Sequence, residues 1–316
     1  MASAIFLPRI EIPRRLRALV RARETSLVVL AMAVGVISGV VVLAMSAVVN
    51  GLHALFFNLP YGTRLSSVSE LDWRLALAVP CLGGLVFGVA THALARWRSG
   101  REVDPIEANA LHGGRMSVTG SLIVAAQTMW SSGVGASVGL EAGYTQLASG
   151  LASWLGRAFR LRRRDLRTLV GCGAAAGIAA AFGAPLAGAF YGFELVIGSY
   201  SVASLAPVGA AAVIGYLVVA QLERPDLGIA ASTQVGTPDL LIAALIGVLA
   251  AAFGIAVMRG VGYCEALFGR LRVPPALRPA IGGLIVGLLA IISPQVMSSG
   301  HGALHVASML ALPLGA

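Results

Sequence analysis

The chain has 316 residues, of which 57% are hydrophobic and only 12% are charged. Soluble domains carry about a quarter charged residues, so this composition excludes a soluble globular protein and indicates a polytopic membrane protein. The formal net charge of +9 comes from 23 arginines and no lysine, set against 14 acidic residues. The arginines cluster in predicted loops and at the N-terminus, which is the positive-inside pattern and not a nucleic-acid footprint.

The first 25 residues are basic and lack the short apolar core and cleavage site of a signal peptide. We predict that residues 1–25 form a cytoplasmic amphipathic segment. Apolar runs long enough to cross a bilayer follow, and in lipid they must be helices, because an open sheet edge leaves backbone groups without partners. They lie at roughly 26–52, 75–95, 118–136, 166–197, 202–221, 238–263 and 279–293.

Two apolar segments match each other closely. PCLGGLVFGVA (Pro80–Ala90) and PAIGGLIVGLL (Pro279–Leu289) share a proline and three glycines in register. Each follows a long apolar run with a similar ending, HALF (His53–Phe56) in the first case and EALF (Glu265–Phe268) in the second. The match predicts two related halves.

Arginine placement predicts that the two halves are inverted. Three arginines follow the first matched segment, whereas three precede the second. They are Arg96, Arg98 and Arg101 in the first half and Arg270, Arg272 and Arg278 in the second. Because arginine-rich ends face the cytoplasm, equivalent helices cross in opposite directions, as in transporter folds with inverted repeats.

The two halves differ in length. We predict a first membrane repeat at 26–222, a loop at 223–237 and a partial second repeat at 238–316. The counterpart of 117–221 is absent from the second half, so the sequence is expected to be a fragment or a truncated gene product.

Glycine interrupts the apolar pattern at Gly133–Gly143 and at Gly183–Pro185. Broken helices at membrane depth are tolerated where the irregular backbone is buried or lines a cavity. Their N-terminal amides carry partial positive charge and bind anions without a full cation. No arginine occurs between Met116 and Leu155, which fits a site that binds an anion weakly enough to release it.

Glu141 is the single carboxylate in the first interruption, GASVGLEAGYTQ. An acid at a helix start is itself an anion and can occupy the site that it guards, so Glu141 is a candidate gate. The alternative is a helix-capping glutamate or one paired with an arginine. Intramembrane acids are usually functional.

The stretch 133–197 resembles the CLC chloride channel and transporter family. Members carry GREGP followed by Q, a basic loop, then CGAAAGIAAAFNAPLAG and a glutamate; this chain has GLEAGYTQ, WLGRAFRLRRRDLRTLV and CGAAAGIAAAFGAPLAGAFYGFE in the same order. GGLIVGLLAIISPQV is also similar to the family's second-half helix. The resemblance implies an all-α integral membrane protein with an inverted repeat of broken helices, here with the second repeat incomplete.

Glu141 takes the gate position of the family motif. The backbone positions expected to bind the anion are Gly139, Leu140, Ala142 and Gly143. The motif's arginine, second glycine and proline are replaced here.

Two further family positions are altered. The GSGIP motif, which supplies a serine to the central anion, falls near 101–105 and reads REVDP, so Asp104 and Pro105 mark the possible inner pore mouth. If Asp104 faced the pore, its carboxylate would repel an anion. The family's proton glutamate falls one residue after Glu194, at Leu195, which cannot carry a proton.

These features predict passive transport of chloride or another small anion, by a channel or uncoupled carrier gated by Glu141. The alternatives are a chloride/proton antiporter and a non-conducting scaffold or sensor that keeps the fold. An enzyme is not expected, since no nucleophile–base pair or HExxH motif is present. Chloride is the substrate, and no metal or other cofactor is expected.

The remaining expectations concern partners and location. The resemblance implies a homodimer that forms through the helices at about 184–220. We expect an inner (cytoplasmic) membrane protein with a cytoplasmic N-terminus, whose partners are small anions and membrane lipid, with no nucleic acid.

Several other motifs have two interpretations. GCGAAAG (Gly171–Gly177) imitates a dinucleotide fingerprint, but small-residue helix packing explains it better. The arginines at 157–167 are predicted to form a basic loop that anchors to anionic lipid or draws anions to the pore mouth. His112, His301 and His305 are predicted to be loop or interface residues, and Glu194 is assigned a structural or a transport role.

Overall fold

A computed structural model describes residues 13, 24–68, 70–98, 101–222 and 236–300. Most of the predicted N-terminal segment and of the predicted loop at 223–237 lies outside these residues, as do His301 and His305. Every regular element in the described ranges is helical.

Long helices alternate with short ones. The helices are α1 (Glu24–Phe57), α2 (Trp73–Trp97), α3 (Pro105–Leu111), α4 (Val118–Gly133), α5 (Glu141–Ala158), α6 (Arg163–Phe182), α7 (Pro185–Tyr191), α8 (Val202–Ala220), α9 (Thr237–Arg270) and α10 (Arg278–Ile292). A π-helical turn, Gly192–Ile197, continues α7, and short 3₁₀ turns lie at Leu65–Ser67 and Pro294–Val296.

Five of the described helices, α1, α2, α6, α8 and α9, are long and apolar enough to cross a membrane. The predicted run 118–136 ends earlier, at Gly133, and the predicted run 166–197 is divided at Gly183 into α6 and α7. Gly183 adopts a left-handed conformation (φ 64°) that closes α6, and Pro185 begins α7.

The predicted spans leave out residues 141–158, where the structure forms α5, although a helix start was predicted at Glu141. They leave this helix out because its polar residues lower its hydropathy. Those residues are buried against protein: Ser149 Oγ donates to the Val170 carbonyl at 3.0 Å and Ser153 Oγ to the Gly114 carbonyl at 2.7 Å. A helix whose polar side chains find partners inside the bundle needs no apolar face toward lipid there.

α6 lies at the centre of the first repeat and packs against α1, α5, α7 and α8. Its alanines and glycines are almost completely buried. A Cβ built on Gly173 would lie 2.7 Å from the carbonyl oxygen of Ala148 in α5, so only glycine permits this approach. The predicted small-residue role of GCGAAAG is what the structure shows.

PCLGGLVFG lies in α2 and PAIGGLIVG lies in α10. These two helices pack against each other, so the matched segments are in contact. The contacts are reciprocal. A Cβ on Gly84 would collide with the Pro279 carbonyl, and one on Gly283 would collide with the equivalent Pro80 carbonyl. Gly88 likewise abuts Ala276, and Gly287 abuts Ala76. Residues later in α2 contact residues earlier in the α10 segment, so the two equivalent helices are antiparallel. The predicted inversion requires this orientation.

The helices that precede the matched pair also correspond, since α1 and α9 each have 34 residues. They differ in packing. α1 is wedged against α6 and α8, whereas the side chains of α9 are exposed along nearly its whole length.

We predict that Gly283→Ala lowers the stability of the protein, because a methyl group there meets backbone atoms that cannot move aside. Overpacking of this kind costs about 1–3 kcal/mol. Gly282→Ala is the matched control, since nothing lies within 4 Å of its Cβ position. The measurement is the unfolding temperature in detergent, and equal values for the two variants would contradict the reciprocal packing of α2 and α10.

Candidate functional site

The predicted interruption at Gly133–Gly143 is an irregular link, residues 134–140, between α4 and α5. Gly135 turns the chain with a φ of 84°, a conformation that favours glycine. Leu140 is the N-cap of α5, is 8% exposed and gives no side-chain hydrogen bond to the helix. The amides of the first turn therefore keep the partial positive charge of a helix start without a capping oxygen from the N-cap side chain.

Glu141 is the first residue of α5 and is half-buried. Its carboxylate folds back against Gly139 and fills the space that a side chain at position 139 would need. Thr145, one turn later on the same face, donates its hydroxyl to the Glu141 carbonyl at 2.9 Å. The predicted gate thus lies directly on the link that was predicted to bind an anion.

The four predicted backbone positions have different surroundings. Leu140 and Gly143 are buried, Gly139 is half-buried and Ala142 is exposed. A Cβ on Gly143 would lie 2.6 Å from the Met45 methyl carbon, which shows how closely α1 covers this turn. Of the four, Gly139 and Ala142 are the two that are not buried.

A second helix start meets α5 farther along. Gln146 Nε2 donates to the Val103 carbonyl at 2.9 Å, which fixes the residues before α3 against α5. The Tyr191 hydroxyl of α7 lies within hydrogen-bonding reach of the Thr145 side chain, and Asp104 is close enough to act on it electrostatically. Thr145, Tyr191 and Asp104 therefore lie near one another, between the two helix starts. No sequence motif identified Tyr191, because only the fold brings it beside Thr145.

Asp104 is the N-cap of α3, and its Oδ1 accepts a hydrogen bond from the Glu107 amide at 2.8 Å. Pro105 is the first helical residue, a position where its missing N–H costs nothing. Glu102 occupies the position of the motif's serine and pairs with Arg98 at 3.2 Å. The REVDP segment is thus a capped helix start held by an ion pair.

Leu195 lies in the π-helical turn and is 50% exposed. Its neighbour Glu194 is exposed and accepts a hydrogen bond from the Tyr200 hydroxyl at 2.5 Å. That bond raises the pKa of Tyr200, because a phenolate could no longer donate to the carboxylate. The contact favours the structural role for Glu194.

The predicted basic loop is shorter than expected. Only residues 159–162 connect α5 to α6, because both helices extend into the arginine-rich stretch. Arg157 donates to the Met116 carbonyl at 3.0 Å and Arg167 donates to the Ile197 carbonyl at 3.5 Å. These two arginines therefore brace the ends of neighbouring elements.

The chain is similar to known proteins in both sequence and fold. The profile of the family described as voltage gated chloride channel matches residues 83–313. The putative chloride channel protein ClcB-like of Ralstonia nicotianae is 35% identical over 250 residues, which cover 75% of this chain and 57% of that protein. The voltage-gated ClC-type chloride channel ClcB of Shigella flexneri is 31% identical over 272 residues, covering 82% and 65%.

The fold is also similar to the crystal structure of a slow cyanobacterial Cl⁻/H⁺ antiporter. The TM-score is 0.67 at 24% identity, with 88% of this chain and 66% of that chain covered. The chain spans 57% to 65% of the length of the two curated relatives. On the family match and the shared helical fold, the chain belongs to the voltage gated chloride channel (CLC) family of membrane proteins.

Proposed function

We propose that this protein transports small anions passively across a membrane, with chloride as the main substrate and Glu141 as the gate. The observation that carries the proposal is the position of the Glu141 carboxylate against Gly139, at a helix start whose N-cap side chain supplies no acceptor. The related ClcB proteins are named as chloride channels.

The mechanism is a competition between two anions for one set of amides. The carboxylate of Glu141 satisfies the partial positive charge at the start of α5 when no other anion is bound. Protonation removes the charge of Glu141, and a permeating chloride can displace it. Main-chain dipoles attract the ion less strongly than a full cation would, so that it leaves quickly.

A channel or uncoupled carrier is favoured over a chloride/proton antiporter. Leu195 stands at the family position of the proton glutamate and has no titratable group. The nearest acid, Glu194, is held by Tyr200. We therefore do not propose that protons pass this turn.

We predict that Glu141→Gln increases chloride efflux from liposomes several-fold over the wild-type protein, because glutamine has no charge and does not compete with chloride for the amides. Glu194→Gln is the control and should behave as the wild type. A Glu141→Gln variant with wild-type efflux would refute the gate.

The same liposomes distinguish the transport modes. A reversal potential that does not move with the pH gradient supports a channel, whereas one that moves with it supports the antiporter. Absence of any chloride flux would leave the non-conducting scaffold as the remaining function.

Asp104 and Pro105 are proposed to lie at the inner mouth of the anion path. Two substitutions separate the charge of Asp104 from its capping role. Asp104→Asn keeps the cap and removes the charge, so efflux should increase with little change in stability. Asp104→Ala also loses the cap, which costs about 1 kcal/mol. Unchanged efflux in Asp104→Asn, measured in the same assay, would place the carboxylate away from the path.

The protein is proposed to lie in the inner membrane with its N-terminus in the cytoplasm and to form a homodimer through α7 and α8. Large apolar side chains are exposed there, including Leu186 at 71% and Leu205 at 49%. We predict that Leu205→Trp shifts the sedimenting species in detergent from dimer to monomer. Leu240→Trp on α9 is the control, and a dimer that survives Leu205→Trp would exclude this face.

A further inference from the structure

A polar cavity of about 140 Å³ lies beside the start of α5, and neither Glu141 nor Asp104 lines it. It is bounded by Leu140 and Tyr144 on one side and by residues from both repeats on the other. Its polar lining includes Ser46, Asn50, His53, Arg64, Ser132 and Ser298. A space of this size holds several waters or a small ion with part of its water shell.

His53 is the most informative of these residues. It is only 3% exposed, and its Nε2 lies 3.0 Å from the Ser132 carbonyl oxygen. Because a carbonyl only accepts, Nε2 must donate this bond. Nδ1 is buried and has no hydrogen-bond partner among the described residues. An orphaned buried nitrogen on the wall of a polar cavity indicates that a bound species completes it.

The charges of the residues that line the cavity indicate which kind of species binds there. Arg64 is the one charged residue among the described residues that form the wall, and no aspartate or glutamate is among them. The serines and Asn50 can all donate hydrogen bonds. The Tyr144 hydroxyl, the other titratable group there, is bonded to Ser46 Oγ at 2.9 Å. A cation, several neutral donors and no acid make a site for an anion.

The cavity also lies at the junction of the repeats. Ser298 follows the second-repeat helix α10, and its Oγ lies 3.2 Å from Ser132 Oγ at the end of α4. The neighbouring Met297 is completely buried in an apolar cluster with Phe57 and Leu65. Substrate sites of inverted-repeat transporters lie where the halves meet.

We propose that this cavity is a second anion site, which binds a small monovalent anion such as a halide through Arg64 and His53. Neutral His53 contributes through a water that donates to Nδ1, and protonated His53 donates to the anion directly. Binding of the anion and of a proton to His53 are therefore linked, and the anion binds more tightly as the pH falls. The proposal deepens the proposed anion transport but concerns binding, so it does not require flux.

The first test is diffraction from crystals of the full chain soaked in sodium bromide. An anomalous peak inside the cavity, near the Arg64 guanidinium and His53 Nδ1, would support the site. Bromide only at the start of α5, or only water in the cavity, would overturn it. The first of those results would leave the gate of Glu141 intact.

The second test is bromide binding measured by calorimetry in detergent at acidic and neutral pH. Arg64→Gln removes a charge-assisted bond and should weaken binding roughly tenfold. His53→Gln keeps a donor for the Ser132 carbonyl but loses Nδ1, so the pH dependence should disappear. Arg74→Gln is the control, because Arg74 stacks on Trp73 and does not line the cavity.

Unfolding temperatures of the variants verify that each protein is folded before its affinity is compared. Unchanged affinity in Arg64→Gln, or an unchanged pH dependence in a folded His53→Gln protein, would refute the proposal.

Discussion

Close approach of backbone to backbone is the constraint on which this structure depends. In lipid, helices gain little from burying apolar surface against one another, so they associate through packing at small residues and through hydrogen bonds. α6 provides such a surface on several sides, with Gly173 against Ala148 of α5 and Ala176 against Gly215 of α8. The position of α5, and with it the position of Glu141, follows from these contacts.

The polar groups of the bundle are arranged around two helix starts with different chemistry. α3 begins with a conventional aspartate cap, whereas α5 begins after a leucine and carries its acid inside the first turn. The first arrangement stabilises a helix end. The second leaves amide dipoles available to an exchangeable anion, and its N-cap, Leu140, is buried and lines a polar cavity.

Much of the fold could be predicted from the sequence, because its strongest signals are local. Long apolar runs, glycine interruptions and the repeated PxxGGxxxG pattern identified the spans, the break at Gly183 and the inverted relation of α2 and α10. α5 was left out of the predicted spans because a hydropathy pattern treats Ser149 and Ser153 as polar surface. Both are fully buried, with Ser149 hydrogen-bonded to α6 and Ser153 to the turn after α3. The extent of the basic loop was wrong for a similar reason.

The site was less predictable than the fold. Glu141 stands out as a lone acid, but Tyr191, His53 and Arg64 reach their positions only through contacts between distant segments. His53 and Ser298, for example, line one cavity although His53 lies in α1 and Ser298 follows α10. No spacing in the sequence encodes that juxtaposition.

The reciprocal contact of α2 with α10 has a consequence for the origin of the chain. Each glycine motif meets the carbonyl that its own copy presents, as identical subunits do across an isologous two-fold interface. The contact is what two separate copies of one ancestral half would make on pairing in a membrane. Duplication and fusion of such a half would have preserved a surface already selected for self-recognition.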